Sequence, residues 1–156
     1  MRLVLEETVA APVNTVFQVF TDLHHAADHV EAIQSLEVLG HGPVGKGTRF
    51  RETRVMFGKK STEEMEITAF SAPSVYLVEA MSCGAHFATE YRFDARGPSE
   101  TQVTMTMNSR PVTLLAKLMT PMGFLMKGAM VKMLEKDHAE LRAVCEARGA
   151  APAAHS

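Results

Sequence analysis

Five strand-like runs joined by very short turns, followed by one long helical run, leave this chain few ways to fold. The runs cover residues 48–57, 61–70, 75–82, 86–95 and 102–108, and their composition reads as strand. Gly58-Lys59-Lys60, Ala72-Pro73-Ser74, Cys83-Gly84-Ala85 and Arg96-Gly97-Pro98-Ser99 punctuate them as turns. Connections this short join antiparallel neighbours. From about residue 112 the pattern turns helical, is broken at Pro121, and continues to about Arg148, with Gly149 as a stop. Upstream, residues 2–9 read as a strand with Leu3, Leu5 and Val9 on one face. Pro12 opens a helix through Phe20, Asp22 caps a second short helix to about Asp28, and residues 33–39 form another strand. The order is β-α-α-β6-α, an α+β chain with a seven-stranded antiparallel sheet. One face of such a sheet needs cover, and curving it around the long helix supplies that cover.

The long helix carries Met122, Met126, Met130 and Met133 at helical spacing, within an arc of roughly 80°. Methionine is flexible and polarizable, so this stripe either fills a core or lines a pocket for irregular apolar shapes. Side-chain alternation groups the strand residues that would face it. Phe50, Glu52, Arg54 and Met56 share a face, as do Glu63, Met65, Ile67 and Ala69. So do Phe87, Thr89, Tyr91 and Phe93, and then Val103, Met105 and Met107. Glu52, Arg54 and Glu63 would then be charges among apolar walls, and a buried unpaired charge is very costly. Glu52 should therefore pair with Arg54 or with a neighbouring strand. Such groups either orient the polar end of a ligand or form a buried structural ion pair. Asp137 projects near the middle of the helix's inward stripe. It is either a polar end or base in the pocket, or a partner of a Lys or Arg near an exposed helix end.

Other signals exclude more than they assign. The formal net charge is −2, so no global field favours nucleic acid. The two cysteines, Cys83 and Cys145, form no CxxC pair, which argues against a disulfide scaffold or a structural zinc site. No apolar run approaches the roughly 20 residues of a membrane span, and residues 1–9 lack a signal-peptide core; a cytoplasmic location is expected. Gly40-His41-Gly42-Pro43-Val44-Gly45 fits GxGxxG, but a strand pattern follows where a dinucleotide site needs a helix, so a turn is expected. His24, His25, Asp28 and His29 are dense enough to ligate a metal, yet nothing distant completes the set, and a solvated helix face is the expectation. No metal or other cofactor is expected.

Specific stretches resemble the START-like, or SRPBCC, superfamily and its bacterial polyketide-cyclase-like members. They are Val9-Ala10-Ala11-Pro12-Val13-Asn14-Thr15-Val16-Phe17 with Phe20-Thr21-Asp22-Leu23, and Ser35-Leu36-Glu37-Val38-Leu39 with Gly42-Pro43-Val44-Gly45-Lys46-Gly47-Thr48-Arg49-Phe50. The Met-rich closing helix is the third. Many relatives carry Trp after the first helix pair; this chain has none, and His29 lies near that place. The resemblance implies a helix-grip domain over residues 1–149, with a flexible tail at 150–156. It also implies a deep cavity between the sheet and the long helix, holding a hydrophobic or amphipathic small molecule. The expected lining is Phe50, Glu52, Met56, Met65, Phe87 and Tyr91 from the sheet, with Met122, Met126, Met130 and Met133 from the helix. A minority of relatives cyclise or dehydrate polyketide chains, for which Glu52 and Tyr91 are the acid–base pair to name; catalytic residues otherwise stay unassigned. The expected partner is the ligand, with a homodimer left open.

Overall fold

The computed structural model describes residues 1–150. The elements follow the expected order: β1 (Arg2–Val9), α1 (Val13–Thr21), a single 3-10 turn (Leu23–His25), α2 (Ala26–His29), β2 (Ile33–Leu39), β3 (Arg49–Met56), β4 (Lys59–Ser71), β5 (Val75–Ser82), β6 (Ala85–Ala95), β7 (Thr101–Pro111), α3 (Leu114–Leu118) and α4 (Thr120–Ala150). Seven strands form one antiparallel sheet in the order β1-β7-β6-β5-β4-β3-β2. β1 closes against the last strand, and residues 10–32 carry the chain across to β2 at the opposite edge.

Several boundaries shift for local reasons. β3 and β4 are joined by Phe57-Gly58, not by Gly58-Lys59-Lys60, and both turn residues take positive φ, 52° and 77°. Cys83-Gly84 does the same between β5 and β6, at 50° and 74°. Two-residue turns with both residues left-handed match the right-handed twist of their strands. Lys59 and Lys60 therefore belong to β4. Asp22 makes no side-chain cap; its carboxylate instead meets His25 Nδ1 at 2.9 Å. The helical region divides at Met119, so that Pro121 stands in the first turn of α4, where its missing N–H breaks no bond. α4 runs through the expected stop at Gly149 to Ala150, the last described residue, and the rest of the expected tail, 151–156, lies outside the described residues.

The packed core sits at the end of the molecule away from α3. Val16, Phe17, Val19 and Phe20 of α1 are all buried. Phe17 meets Phe70, Tyr76 and Phe93 edge-on, with ring centroids 5.2, 6.0 and 5.3 Å apart. Val9, Val103 and Cys145, each below 2 % exposed, complete this cluster and bring the C-terminal half of α4 onto it. A smaller cluster of Leu3, Met105 and Met107 holds Met130 and Leu134 further along the helix. Beyond Met130 towards its N-terminus, α4 has no buried residue. The sheet and helix therefore close on each other at one end only.

Candidate functional site

Between the concave face of the sheet and α4 lies a cavity of about 600 Å³. A cavity of this size falls in the range of small-molecule sites. Its sheet wall includes Phe50, Met56, Met65 and Phe87, together with Ala80 of β5. Its helix wall includes Met126, Met130, Met133 and Leu134. The hairpin tips at Phe57 and Cys83, with Met119 and Phe124, stand around its mouth. Met122 is the expected lining residue that the structure leaves out. It is half exposed, and it stands on the turn of α4 that has already parted from the sheet. The helical arc that grouped it with Met126 is correct, but the arc faces protein only where the helix is packed.

Two polar groups interrupt these walls. Glu63 lines the cavity as expected, its Oε1 accepting from Ser61 Oγ at 3.0 Å and from Ser82 Oγ at 2.7 Å. The larger group is a charged triad. Arg54 Nε donates to Glu52 Oε1 at 2.7 Å, and Arg54 Nη1 donates to Asp137 Oδ2 at 2.8 Å. Period two places Glu52 and Arg54 side by side on the concave face of β3, and the curl of the sheet brings Asp137 of α4 over them. The three side chains are only 14 %, 12 % and 8 % exposed. Burial opposes the guanidinium charge, but the two carboxylates outweigh it and hold the Arg54 pKa above its ordinary value. Asp137 thus meets an arginine, though deep in the interior and not at an exposed helix end. The cluster carries one positive and two negative formal charges. Arg54 Nη2 takes part in neither of these bonds and is the edge able to donate to a guest's oxygen.

Tyr91 and His138 flank the cluster. Tyr91 stacks on Tyr76 with ring centroids 4.8 Å apart and lies 5.9 Å from the His138 ring. Burial raises the Tyr91 pKa, with Arg54 pulling the other way, so the phenol stays protonated. His138 is 5 % exposed, and its Nε2 has no hydrogen-bond partner among the described residues. Burial pushes its imidazole down to about 4, so it is neutral at pH 7. The site therefore combines a neutral phenol, a neutral imidazole and an arginine clamped by two carboxylates, all among apolar walls.

His138 was missed by sequence reasoning, although the signal was present. It follows Met130 and Leu134 at intervals of four, on the same face as the methionines. Glu7 was passed over in the same way. It shares the inward face of β1 with Leu3, Leu5 and Val9 by period two, and its Oε2 is buried without a partner among the described residues. The histidine group near α2 stands apart from the cluster. His25 holds Asp22, the His25 and His29 rings stack at 6.3 Å, and no group of three metal-capable side chains is found among the described residues. Gly40, Gly42 and Gly47 take positive φ in the loop entering β3, so the glycine string is a strand-to-strand connection and no helix follows it. No helix among the described residues is long and apolar enough to cross a membrane.

The architecture is shared with known structures. An aromatase/cyclase, Zhui, from Streptomyces sp. R1128 is 18 % identical and superposes with a TM-score of 0.76, covering 100 % of this chain and 98 % of that one. A protein from Thermus thermophilus is 21 % identical with a TM-score of 0.73, over 96 % and 100 % of the two chains. A START superfamily protein from Mycobacterium smegmatis is 14 % identical with a TM-score of 0.71, over 95 % and 96 %. At these identities the likeness is one of fold. No curated protein sequence matches. The sequence profile for polyketide cyclase / dehydrase and lipid transport matches residues 2–146, and with its START-like helix-grip fold the chain belongs to that family.

Proposed function

We propose that this protein binds a hydrophobic or amphipathic small molecule in the cavity between the sheet and α4. The observation that carries the reading is the contrast within that cavity. Apolar side chains form nearly all of its wall, and a buried charged triad of Arg54, Glu52 and Asp137 stands within it. Ligand sites have this composition: an apolar body for affinity and a few placed polar groups for orientation. The guest's apolar body would lie along Met65, Phe87, Met130 and Met133. Its polar end, a hydroxyl or carbonyl, would meet Arg54 Nη2 and the Tyr91 hydroxyl. Flexible methionines on the helix side suit a family of related shapes over one rigid substrate. Thermal melting in the presence of fatty acids, fatty alcohols and fused-ring phenols tests this. The expected result is a rise in Tm for some of the panel, lost with a bulky residue at Ala80. An unchanged Tm throughout would overturn the reading.

The family description admits a second reading, cyclisation or dehydration of a polyketide-like substrate. His138 favours it: a neutral imidazole with a free nitrogen, beside a protonated phenol, is a base–acid pair in a water-poor cavity. On that reading Tyr91→Phe and His138→Gln keep most ligand binding and abolish turnover of a poly-β-ketone substrate. Turnover that survives both changes would take the chemistry away from this pair, and no turnover by the wild type would restrict the protein to binding.

A further inference from the structure

The end of the molecule that carries the cavity mouth is apolar and rimmed by cations. Between Glu100 and Glu135 the chain has no acidic residue, while Arg110, Lys117, Lys127 and Lys132 fall in that stretch. The same stretch supplies the largest exposed apolar side chains. Leu114 is 74 % exposed, Leu115 and Leu118 are each 70 %, and Leu125 is 86 %. They occupy α3 and the first turns of α4, where the helix has left the sheet. The β3–β4 hairpin brings Phe57, 45 % exposed, to the same end with the exposed Lys59 and Lys60 behind it. Single exposed apolar residues are ordinary on protein surfaces, but a contiguous set rimmed by one sign of charge marks a contact surface.

We propose that this end docks on the surface of an anionic lipid bilayer. α3 and the first turns of α4 lie in the interface, their leucines at the acyl boundary and their lysines at the headgroups. The charges choose this occupant. A second copy of the chain would meet the patch with the same patch, setting cations against cations with no acidic residue on that stretch to answer them. A bilayer offers apolar depth and negative headgroups together, in the arrangement that Leu125 and Lys127 present. The remainder of the chain carries the acidic excess that brings the net charge to −2, so attraction to an anionic surface orients the molecule mouth-first. Ala116, Met119, Thr120 and Phe124 belong to this same stretch and also line the cavity. A docked molecule therefore faces the bilayer with its opening.

Docking is separate from the identity of the cavity's guest, and the test keeps the two apart. The full chain is sedimented with vesicles of phosphatidylcholine alone and of phosphatidylcholine mixed with phosphatidylglycerol, at low and high salt. The expected result is partitioning onto the mixed vesicles only, weakened by salt. Leu125→Glu and the Lys117→Glu/Lys127→Glu pair should each lower it by at least about tenfold. Leu125 and Lys117 are surface residues, so both variants should keep the wild-type melting temperature and fatty-acid binding in solution. Failure to partition, equal partitioning onto neutral vesicles, or full partitioning by Leu125→Glu would overturn the proposal. So would a dimer in analytical ultracentrifugation that Leu125→Glu dissolves, which would assign the face to a second copy.

Discussion

The Asp137 carboxylate accepts a hydrogen bond from Arg54 at 2.8 Å, joining α4 to a strand that lies 83 positions earlier in the chain. Burial leaves this pair little solvent screening, and Glu52 holds the other side of the same guanidinium. Removing one partner from such a set strands the others. Arg54→Met leaves two buried carboxylates facing each other and is expected to destabilise the fold by about 3–5 kcal/mol. The triple change Glu52→Gln/Arg54→Met/Asp137→Leu removes the charges together and should recover most of that loss. Urea denaturation measures both. A loss below about 1 kcal/mol for Arg54→Met would show that the charges are solvated and not buried.

Two titrating groups on β1 and α4 act against each other. Burial raises the Glu7 carboxyl from 4.5 to about 7, with Arg142 opposing it. The native state then holds more protons than the unfolded chain between these values, so this group's contribution to stability falls as pH rises from 4.5 to 7. Burial lowers His138 from 6.5 to about 4, so here the unfolded chain holds more protons and stability falls as pH drops from 6.5 to 4. The slopes oppose across the shared window. In Glu7→Gln only the histidine slope remains, and stability should climb with pH between 4.5 and 6.5 more steeply than in the wild type. In His138→Gln the wild type's advantage should grow over the same rise, by at most about 3 kcal/mol. Denaturation curves at a series of pH values check both; parallel wild-type and variant profiles would refute the assignment.

Much of this was legible in the residues, for reasons particular to each element. β1 alternates strictly, and β5 is a short run bounded by turn residues on both sides, so their limits are plain. Glu52 and Arg54 could be paired from period two alone. That α4 supplies the third member, Asp137, depends on how far the sheet curls, which periodicity does not contain. The methionine arc was correct as geometry and misleading at Met122, because a helical stripe does not say where the helix stops touching its partner. The helical run from about residue 112 says nothing of which leucines stay uncovered; those at 114, 115 and 118 are exposed only because the helix stops packing there.

Gly84 controls the start of the exposed segment. It sits at φ 74°, its carbonyl accepts from Val112 N at 2.8 Å and from Thr113 N at 3.1 Å, and an added Cβ would come within 2.3 Å of Thr113 Oγ1. Thr113 is the residue whose hydroxyl accepts from Ala116 N and caps α3. Gly84→Ala should therefore cost about 1–2 kcal/mol and displace α3 from the mouth. Hydrogen exchange should quicken at α3 before the rest of the sheet. Unchanged protection there would mean that the turn relaxes without moving Thr113.

The cysteines report on opposite ends of the molecule. Cys83 is exposed at the mouth, while Cys145 is buried in the core and burial pushes its thiol up to about 12. A disulfide exchange reagent should modify Cys83 quickly and Cys145 only on unfolding. Because Cys83 lines the mouth, a bound guest should slow the first reaction. Rapid modification of both thiols in the native state would place Cys145 outside the core.

Native mass spectrometry of gently purified protein asks most directly whether the space under α4 holds a small apolar molecule. The expected spectrum shows a one-to-one adduct with an added fatty acid or fused-ring phenol. That adduct should be weakened in Ala80→Trp, which fills the cavity from the β5 wall opposite Phe87. A spectrum with no adduct from any such compound, or an adduct undiminished in a folded Ala80→Trp protein, would contradict it.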